Sequence, residues 1–280
     1  MSSRNRVSWR ELVKPNKLFN KIIYKLKNKI AQFSDKRLLK TKSVLDKNNI
    51  QLFKVFDYGE LCRYRASSFL YKEPETIEWI DSFNASDYFL DIGANIGIYS
   101  LYAGKKGINT TCIEPDALNF ALLNMNIKNN NFGKLVKAYL IALHDRVGFS
   151  ELNLQKMQWG GALSSFNNEY NQFEELFRTD YSQGCYGDKL DNCIMKLSPR
   201  VNHIKIDVDG NENLILKGGA KTLRLESLKS LLIELDETRS DYESSISMIE
   251  ESGFKLIQKR HSPMYENSKF STTYNHIFRK

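Results

Sequence analysis

No stretch of the 280-residue sequence approaches the roughly 20 consecutive apolar residues that a membrane-spanning helix needs. The first residues are polar and basic and contain no apolar h-region, so a secretory leader is not expected. Cysteine is scarce. Cys62, Cys112, Cys185 and Cys193 form no C-x-x-C pair and no zinc-finger spacing, which excludes the common zinc and dithiol motifs. Cys112 lies in an apolar run and reads as a small buried side chain. Reduced thiols fit an enzyme of the cytoplasm. Internal repeats and low-complexity tracts are also missing.

A net basic excess is missing from most of the chain. Residues 1–47 hold 14 Lys and Arg against 3 Asp and Glu, a net of +11, whereas the remainder holds 27 against 30, a net of −3. The overall excess of +8 therefore belongs to the first segment. The rest has no general attraction for polyanions, which speaks against nucleic acid as the partner of the whole protein. At this length the chain supports one full domain and an extension. We divide it into a basic helical extension, residues 1–48, and a catalytic domain, residues 49–280, with its regular core at about 86–280.

The core alternates strand-like and helix-like segments. Strands are expected at 88–92, 109–114, 135–141, 201–207 and 229–235, with helices at about 96–105, 116–128, 212–225 and 240–251. A pair of strands at 254–259 and 272–279 closes the sequence. Residues 50–71 read as a hairpin around Tyr58-Gly59-Glu60, and residues 72–84 as a helix with Pro74 in its first turn. This pattern is α/β, a mostly parallel seven-stranded sheet ending in an antiparallel strand pair. Residues 148–190 interrupt it with a strand-like GFSELNL and then a polar, aromatic stretch. So long an insertion in a regular domain is more often functional than idle.

Residues 88–97, YFLDIGANIG, describe a strand, a turn and a helix start, and Glu114 ends the next apolar run in TTCIEPD. Gly93, Asn95 and Gly97 suit a tight turn that a ligand can approach, below a helix N-terminus. Glu114 is placed to accept bonds from two ribose hydroxyls. The loop is D-x-G-x-N-x-G, not G-x-G-x-x-G, and Asp91 would repel a dinucleotide pyrophosphate. S-adenosylmethionine carries an ammonium and a sulfonium and no phosphate, and both cations are favoured beside Asp91.

Downstream, VNHIKIDVDGNENLILKGGA occupies residues 201–220. Together with DIGANIG and IEPDALN it resembles the FkbM family of S-adenosylmethionine-dependent methyltransferases. In that family the third motif commonly reads K-I-D-V-E-G-x-E, and here Asp209 stands in place of the Glu. The resemblance implies a Rossmann-like class I methyltransferase fold and an O-methyltransferase. Such proteins commonly act on sugar hydroxyls of bacterial glycans or on secondary-metabolite hydroxyls.

Ligands on open α/β sheets lie at the carboxyl ends of the strands. That edge collects Asp91, Glu114, His144, Asp145, Asp207, Asp209, Glu234 and Asp236. Asp207 is the first candidate for general base or acceptor-orienting residue, with Asp209 beside it and Glu212 or Glu234 as partners. The same carboxylates could hold a divalent metal, although nothing in the sequence fixes a coordination set. Asp209 and Glu212 could equally cap the following helix. His144 could approach the adenine or the acceptor, and His261 and Tyr265 the acceptor. Ser164 and Ser165 resemble a serine pair of the family's insertion. His203 begins its strand, roughly 13 Å from Asp207 at ~3.3 Å per residue, and reads as structural. No [ND]-P-P-[YF] follows the fourth strand, so the usual signature for methylating base amines is missing. The expected acceptor is a hydroxyl, first of a bacterial glycan or glycolipid, since Trp159, Tyr170 and Phe173 could stack on sugar. A polyketide or other small molecule, a non-catalytic cofactor-binding subunit and RNA are the alternatives.

Within the extension, Leu18, Ile22, Ile23, Leu26, Ile30 and Phe33 lie at helical spacing, bordered by Lys17, Lys21, Lys25, Lys27 and Lys29. Residues 16–33 then form either a helix on an anionic surface, such as the inner face of the cell membrane or a partner, or a helix covering its own domain. On the first reading the full chain should sediment with anionic lipid vesicles and be released by salt. Equal sedimentation with neutral vesicles would remove the electrostatic component.

Overall fold

The computed structural model describes residues 21, 24–27, 40–176, 178–198 and 200–280. It divides into two compact units, Met1–Lys40 and Thr41–Lys280. In the first, residues 21 and 24–27 are helical. The remainder of the expected stripe at 16–33 lies outside the described residues. No helix among the described residues is long and apolar enough to cross a membrane.

The second unit opens with an antiparallel pair, β1 (Thr41–Leu45) and β2 (Gln51–Phe56). Asp46 closes its turn by accepting from the Asn48 and Ile50 amides at 2.9 and 2.7 Å, and Asn49 takes φ 62°. The expected hairpin at 50–71 is therefore displaced. Its second half is helix α1 (Glu60–Lys72). Cys62, Ala66 and Phe69 are buried at four- and three-residue spacing, so the short apolar run of LCRYRA belongs to a helix face. The extended residue Glu73 separates α1 from α2 (Pro74–Asp81), where Pro74 occupies the first turn as expected. The expected domain start at residue 49 falls within the β1–β2 hairpin.

The core follows the expected alternation. β3 (Tyr88–Ile92), α3 (Ile98–Lys105), β4 (Asn109–Ile113), α4 (Ala117–Asn129) and β5 (Val136–Tyr139) form its first half. The insertion supplies β6 (Ala142–Leu143), β7 (Gly148–Leu154), β8 (Ser164–Phe166) and β9 (Tyr181–Asp188), followed by α5 (Leu190–Leu197). β10 (His203–Ile206), α6 (Glu212–Gly218), β11 (Ser230–Asp236), α7 (Tyr242–Glu250), β12 (Lys255–Arg260) and β13 (Thr273–Arg279) complete the unit.

The seven-stranded sheet has the order β12-β13-β11-β10-β3-β4-β5, with β13 antiparallel to both its neighbours. From β3 the chain runs outward through β4 and β5, then returns to the other side of β3 with β10 and β11. The strand order thus reverses between β3 and β10, and such a reversal opens a crevice at the carboxyl ends of the two strands. Every residue of β10 is buried, as suits a central parallel strand covered on both faces. The insertion is not irregular. Its strands form a second sheet, β6-β9-β7-β8, beyond the same strand ends.

Val44 and Phe53 on the hairpin are each only 1% exposed. A chain beginning at Thr41 should therefore retain the melting temperature of the whole domain. One beginning at residue 49 loses β1 and should be destabilised by about 2–3 kcal/mol, the cost of unburying one large aliphatic side chain. Urea unfolding of the two chains measures the difference.

Candidate active site

The turn after β3 is built by backbone constraints. Gly93 and Gly97 take φ of 80° and 90°, and Asn95 takes 52°. A Cβ on Gly93 would stand 1.8 Å from the carbonyl oxygen of Asp207, and one on Gly97 would stand 2.4 Å from the Leu123 side chain. Both glycines therefore serve protein packing. Gly93 lets the ends of β3 and β10 touch, and Gly97 seats α3 against α4. Gly93 and Asn95 line the cavity described below, and Gly97 does not.

Glu114 follows β4 and is buried. One carboxylate oxygen accepts from the Asn95 amide at 2.7 Å and the other from the Asp116 amide at 2.8 Å. Each oxygen keeps a lone pair for a further donor. Burial pushes the Glu114 carboxyl up to about 8, against the pull of those two amides. The insertion is fastened to the same turn. Asn95 and Asn119 donate to the Gly161 carbonyl at 2.5 and 3.0 Å. Arg65 donates to the Gly160 carbonyl at 2.9 Å.

These contacts enclose a cavity of about 430 Å³ at the strand reversal. One end joins Glu114 to apolar walls from Ile113, Leu143, Leu152 and Phe166. The other end holds Asp207, Asp209, Glu234, Lys72, Tyr265 and Phe270.

Charge organises that second end. Lys205, 1% exposed, donates from beneath to Asp207. Burial opposes its charge, but the carboxylates of Asp207, Glu73 and Asp91 outweigh that and hold its pKa above the ordinary value. Lys72 donates to Glu73 at 2.6 Å. Burial again opposes the ammonium, and Glu73, Tyr265, Asp207 and Glu234 hold it protonated. Burial alone would raise the Glu73 carboxyl, yet Lys72 and Lys205 bring it down to about 2. The oxygens of Glu73, Asp207 and Glu234 lie within 4.8 Å of one another. Two ammoniums, Lys72 and Lys205, stand among these carboxylates, with Asp91 close to Lys205 and Asp209 on the cavity wall. The three oxygens are near enough to share an ion or a proton. Asp209 takes φ 59° and accepts from the Leu163 amide at 2.7 Å. Burial and the charge of Asp207 push it up to about 6.

Of the residues read from sequence, the cavity brings together Gly93, Asn95, Glu114, Asp207, Asp209, Glu234, Ser164 and Tyr265. It does not reach Asp91, whose carboxylate accepts from Ser100 and lies near Lys205. His144 is buried under the edge of Phe166, its ring 5.7 Å away, and does not line the cavity. His203 is structural, stacked on Phe83 at 3.7 Å and bonded to Asp87 and Ser230. His261 stacks on Tyr274. Glu212 caps its own helix through the Val208 and Gly210 amides, whereas Asp209 binds the insertion instead. Trp159 packs on Tyr58, Tyr170 is exposed, and Phe173 supports Phe270 from behind. Arg65 escaped the sequence reading because residues 60–71 looked like part of a hairpin, and Lys72 and Glu73 because they were read as the start of the following helix. The Lys72-Glu73-Pro74 break between two helices was their available signal.

Because Glu114 holds both the turn and any bound hydroxyls, Glu114→Ala should weaken S-adenosylhomocysteine binding by about 1–3 kcal/mol and also lower the melting temperature. Calorimetry and thermal unfolding read the two effects. Unchanged affinity in a folded variant removes Glu114 from the ligand site.

Residues 91–256 match the sequence profile of the methyltransferase FkbM domain. Among curated proteins, Methyltransferase 1 of Beauveria bassiana is 22% identical over 193 residues, covering 64% of this chain and 76% of its own. Methyltransferase sdnD of Sordaria araneosa is 24% identical over 219 residues, covering 69% and 84%. An FkbM methyltransferase structure from Methylobacillus flagellatus aligns with 79% of this chain at 15% identity and a TM-score of 0.48, and the alignment spans 52% of that chain. The profile begins at Asp91 on β3 and runs past Glu114, Asp207 and Glu234 to β12, more than half of the sequence, so the chain belongs to the FkbM methyltransferase family.

Proposed function

We propose that the protein is an S-adenosylmethionine-dependent O-methyltransferase acting on a sugar hydroxyl of a glycan or glycolipid. The observation that carries this reading is one cavity with two chemically different ends. Glu114 and apolar walls lie at one end, and an oriented carboxylate, Asp207, lies at the other. The residues fit the cofactor. Glu114 has lone pairs left for ribose hydroxyls, and Ile113, Leu143 and Phe166 offer the flat apolar surface an adenine needs. Asp207 and Asp209, rather than Asp91, supply the negative potential that favours a cation in the cavity. When bound, the cofactor supplies a methyl group: the carbon–sulfur bond breaks with its electrons left on sulfur, a carbon–oxygen bond forms, and the acceptor's hydroxyl proton is released.

The chain must align the hydroxyl and accept that proton. Lys205 fixes one oxygen of Asp207, which leaves the other free to accept from the acceptor. Phe270 and Tyr265 present aromatic faces at this end, in the place expected of Trp159, Tyr170 and Phe173, and with the surrounding carboxylates they favour a sugar. In this reading the basic extension brings the enzyme to an anionic surface that displays the acceptor.

Asp207→Asn should leave S-adenosylhomocysteine affinity within a few-fold and cut turnover by roughly 100-fold or more. It also removes one counter-charge from Lys205, so thermal unfolding must show that the variant is folded. S-adenosylhomocysteine release is followed with a panel of sugar-containing acceptors, with and without EDTA. Near-normal turnover in the variant excludes Asp207 as base. Loss of wild-type activity in EDTA, restored by magnesium, makes the carboxylates metal ligands. Activity confined to amines or RNA overturns the O-methyltransferase reading.

A further inference from the structure

Behind the cavity lies a second, much smaller one of about 10 Å³, near the size that takes one water. Gln172, Glu212, Asp236, Arg239 and Thr273 line it, and so does Glu234. Glu234 is thus common to both spaces. It lies near the end of β11, with its carboxylate within 4.8 Å of Asp207 and Glu73.

We propose that Glu234 relays the acceptor's proton, releasing its own through the small cavity and taking in its place the proton that Asp207 has removed from the acceptor. This rests on the O-methyltransferase reading, in which a hydroxyl must lose its proton as the carbon–oxygen bond forms.

The Asp207 carboxylate accepts from the buried Lys205 ammonium through one of its oxygens. Glu234 has a different setting. Burial comes first among the causes that raise its pKa well above the ordinary range, and the charges of Asp207 and Glu73 add to it, while Lys72 and Lys205 oppose. The other side of Glu234 faces Glu212, Asp236 and Arg239. Burial pushes Glu212 up to about 7, and Arg239 is bound to Asp241 at 2.9 Å.

The independent sign of a path is Gln172. Gln172 lines the small cavity and is 6% exposed, and its amide nitrogen is buried with no hydrogen-bond partner among the described residues. A buried amide of this kind calls for a water. A water there would link Glu234 to the polar groups outside. The transfer balances as a relay: Glu234, protonated at rest, releases its own proton through that water, the acceptor loses its proton to Asp207, and Asp207 passes it to the vacated Glu234, leaving Asp207 ionised and Glu234 protonated as they began.

Infrared spectroscopy of the full chain bound to S-adenosylhomocysteine tests this without any acceptor. Beside the protonated carboxyls of Glu114 and Glu212, the wild type should show a further protonated-carboxyl component at neutral pH that shifts in deuterium oxide and is missing from the difference spectrum of Glu234→Gln. Asp207→Asn removes a neighbouring negative charge, so the same band should titrate at lower pH. Gln172→Leu, which leaves Glu234 intact but dries the small cavity, should slow deuterium exchange of the band by about tenfold or more. A wild type without a Glu234-dependent band overturns the proposal, as does exchange unchanged in Gln172→Leu. The acceptor panel is a separate readout: if it fails while the band behaves as expected, the O-methyl reading falls and Glu234 still carries a proton.

Discussion

A buried ammonium governs the site. Lys205 stands on β10 directly beside Asp91 on β3, one strand residue short of the cavity. It is surrounded by the carboxylates of Asp91, Glu73 and Asp207. A lysine at this depth is tolerable only with such partners, and each carboxylate is tolerable only because of the lysine. The cluster cannot rearrange one member at a time without leaving a bare charge in a region of low dielectric. Asp207 is therefore held where β10 ends, with one oxygen occupied and the other available.

The strand reversal makes that arrangement possible. β3 and β10 are neighbours only because the chain returns across the sheet after the insertion. The missing Cβ of Gly93 lets the two strand ends meet at the Asp207 carbonyl. The charge cluster and the turn are thus consequences of one close contact, and the cavity opens above it. The insertion then closes the cavity from the side. Asn95, Asn119 and Arg65 hold Gly160 and Gly161, and Asp209 holds Leu163. Asp209 takes a left-handed conformation to do so, which Asp accepts more readily than most residues. The third motif contributes two carboxylates with different settings, Asp207 on the cavity and Asp209 bonded to the insertion.

Charge at the acceptor end comes from more than the motifs. Lys72 and Glu73 arrive from the junction of α1 and α2, far away in sequence, and bring an ion pair into contact with Asp207 and Glu234. Three carboxylates and two ammoniums thus meet at one end of the cavity.

The sequence by itself determined the alternation of strands and helices from residue 88 onward, the antiparallel close of the sheet, and the positions of Glu114, Asp207 and Asp209. Those features rest on local periods and on turn chemistry, which neighbouring residues specify. It also marked residues 148–190 as an insertion worth having, without revealing the second sheet. Only the tertiary structure decided which acidic residues share a cavity. Asp91 and Asp207 both end strands, yet the pleat and Ser100 turn Asp91 inward, while Lys205 presents Asp207 to the open side. His144 looked available and is packed beneath Phe166. Residues 60–71 form a helix because Cys62, Ala66 and Phe69 find a core to cover, and a short apolar run does not choose its period until that core exists. Lys72 and Glu73 enter the site for the same reason: the packing of α1 and α2, not any local motif, carries them to the end of β10.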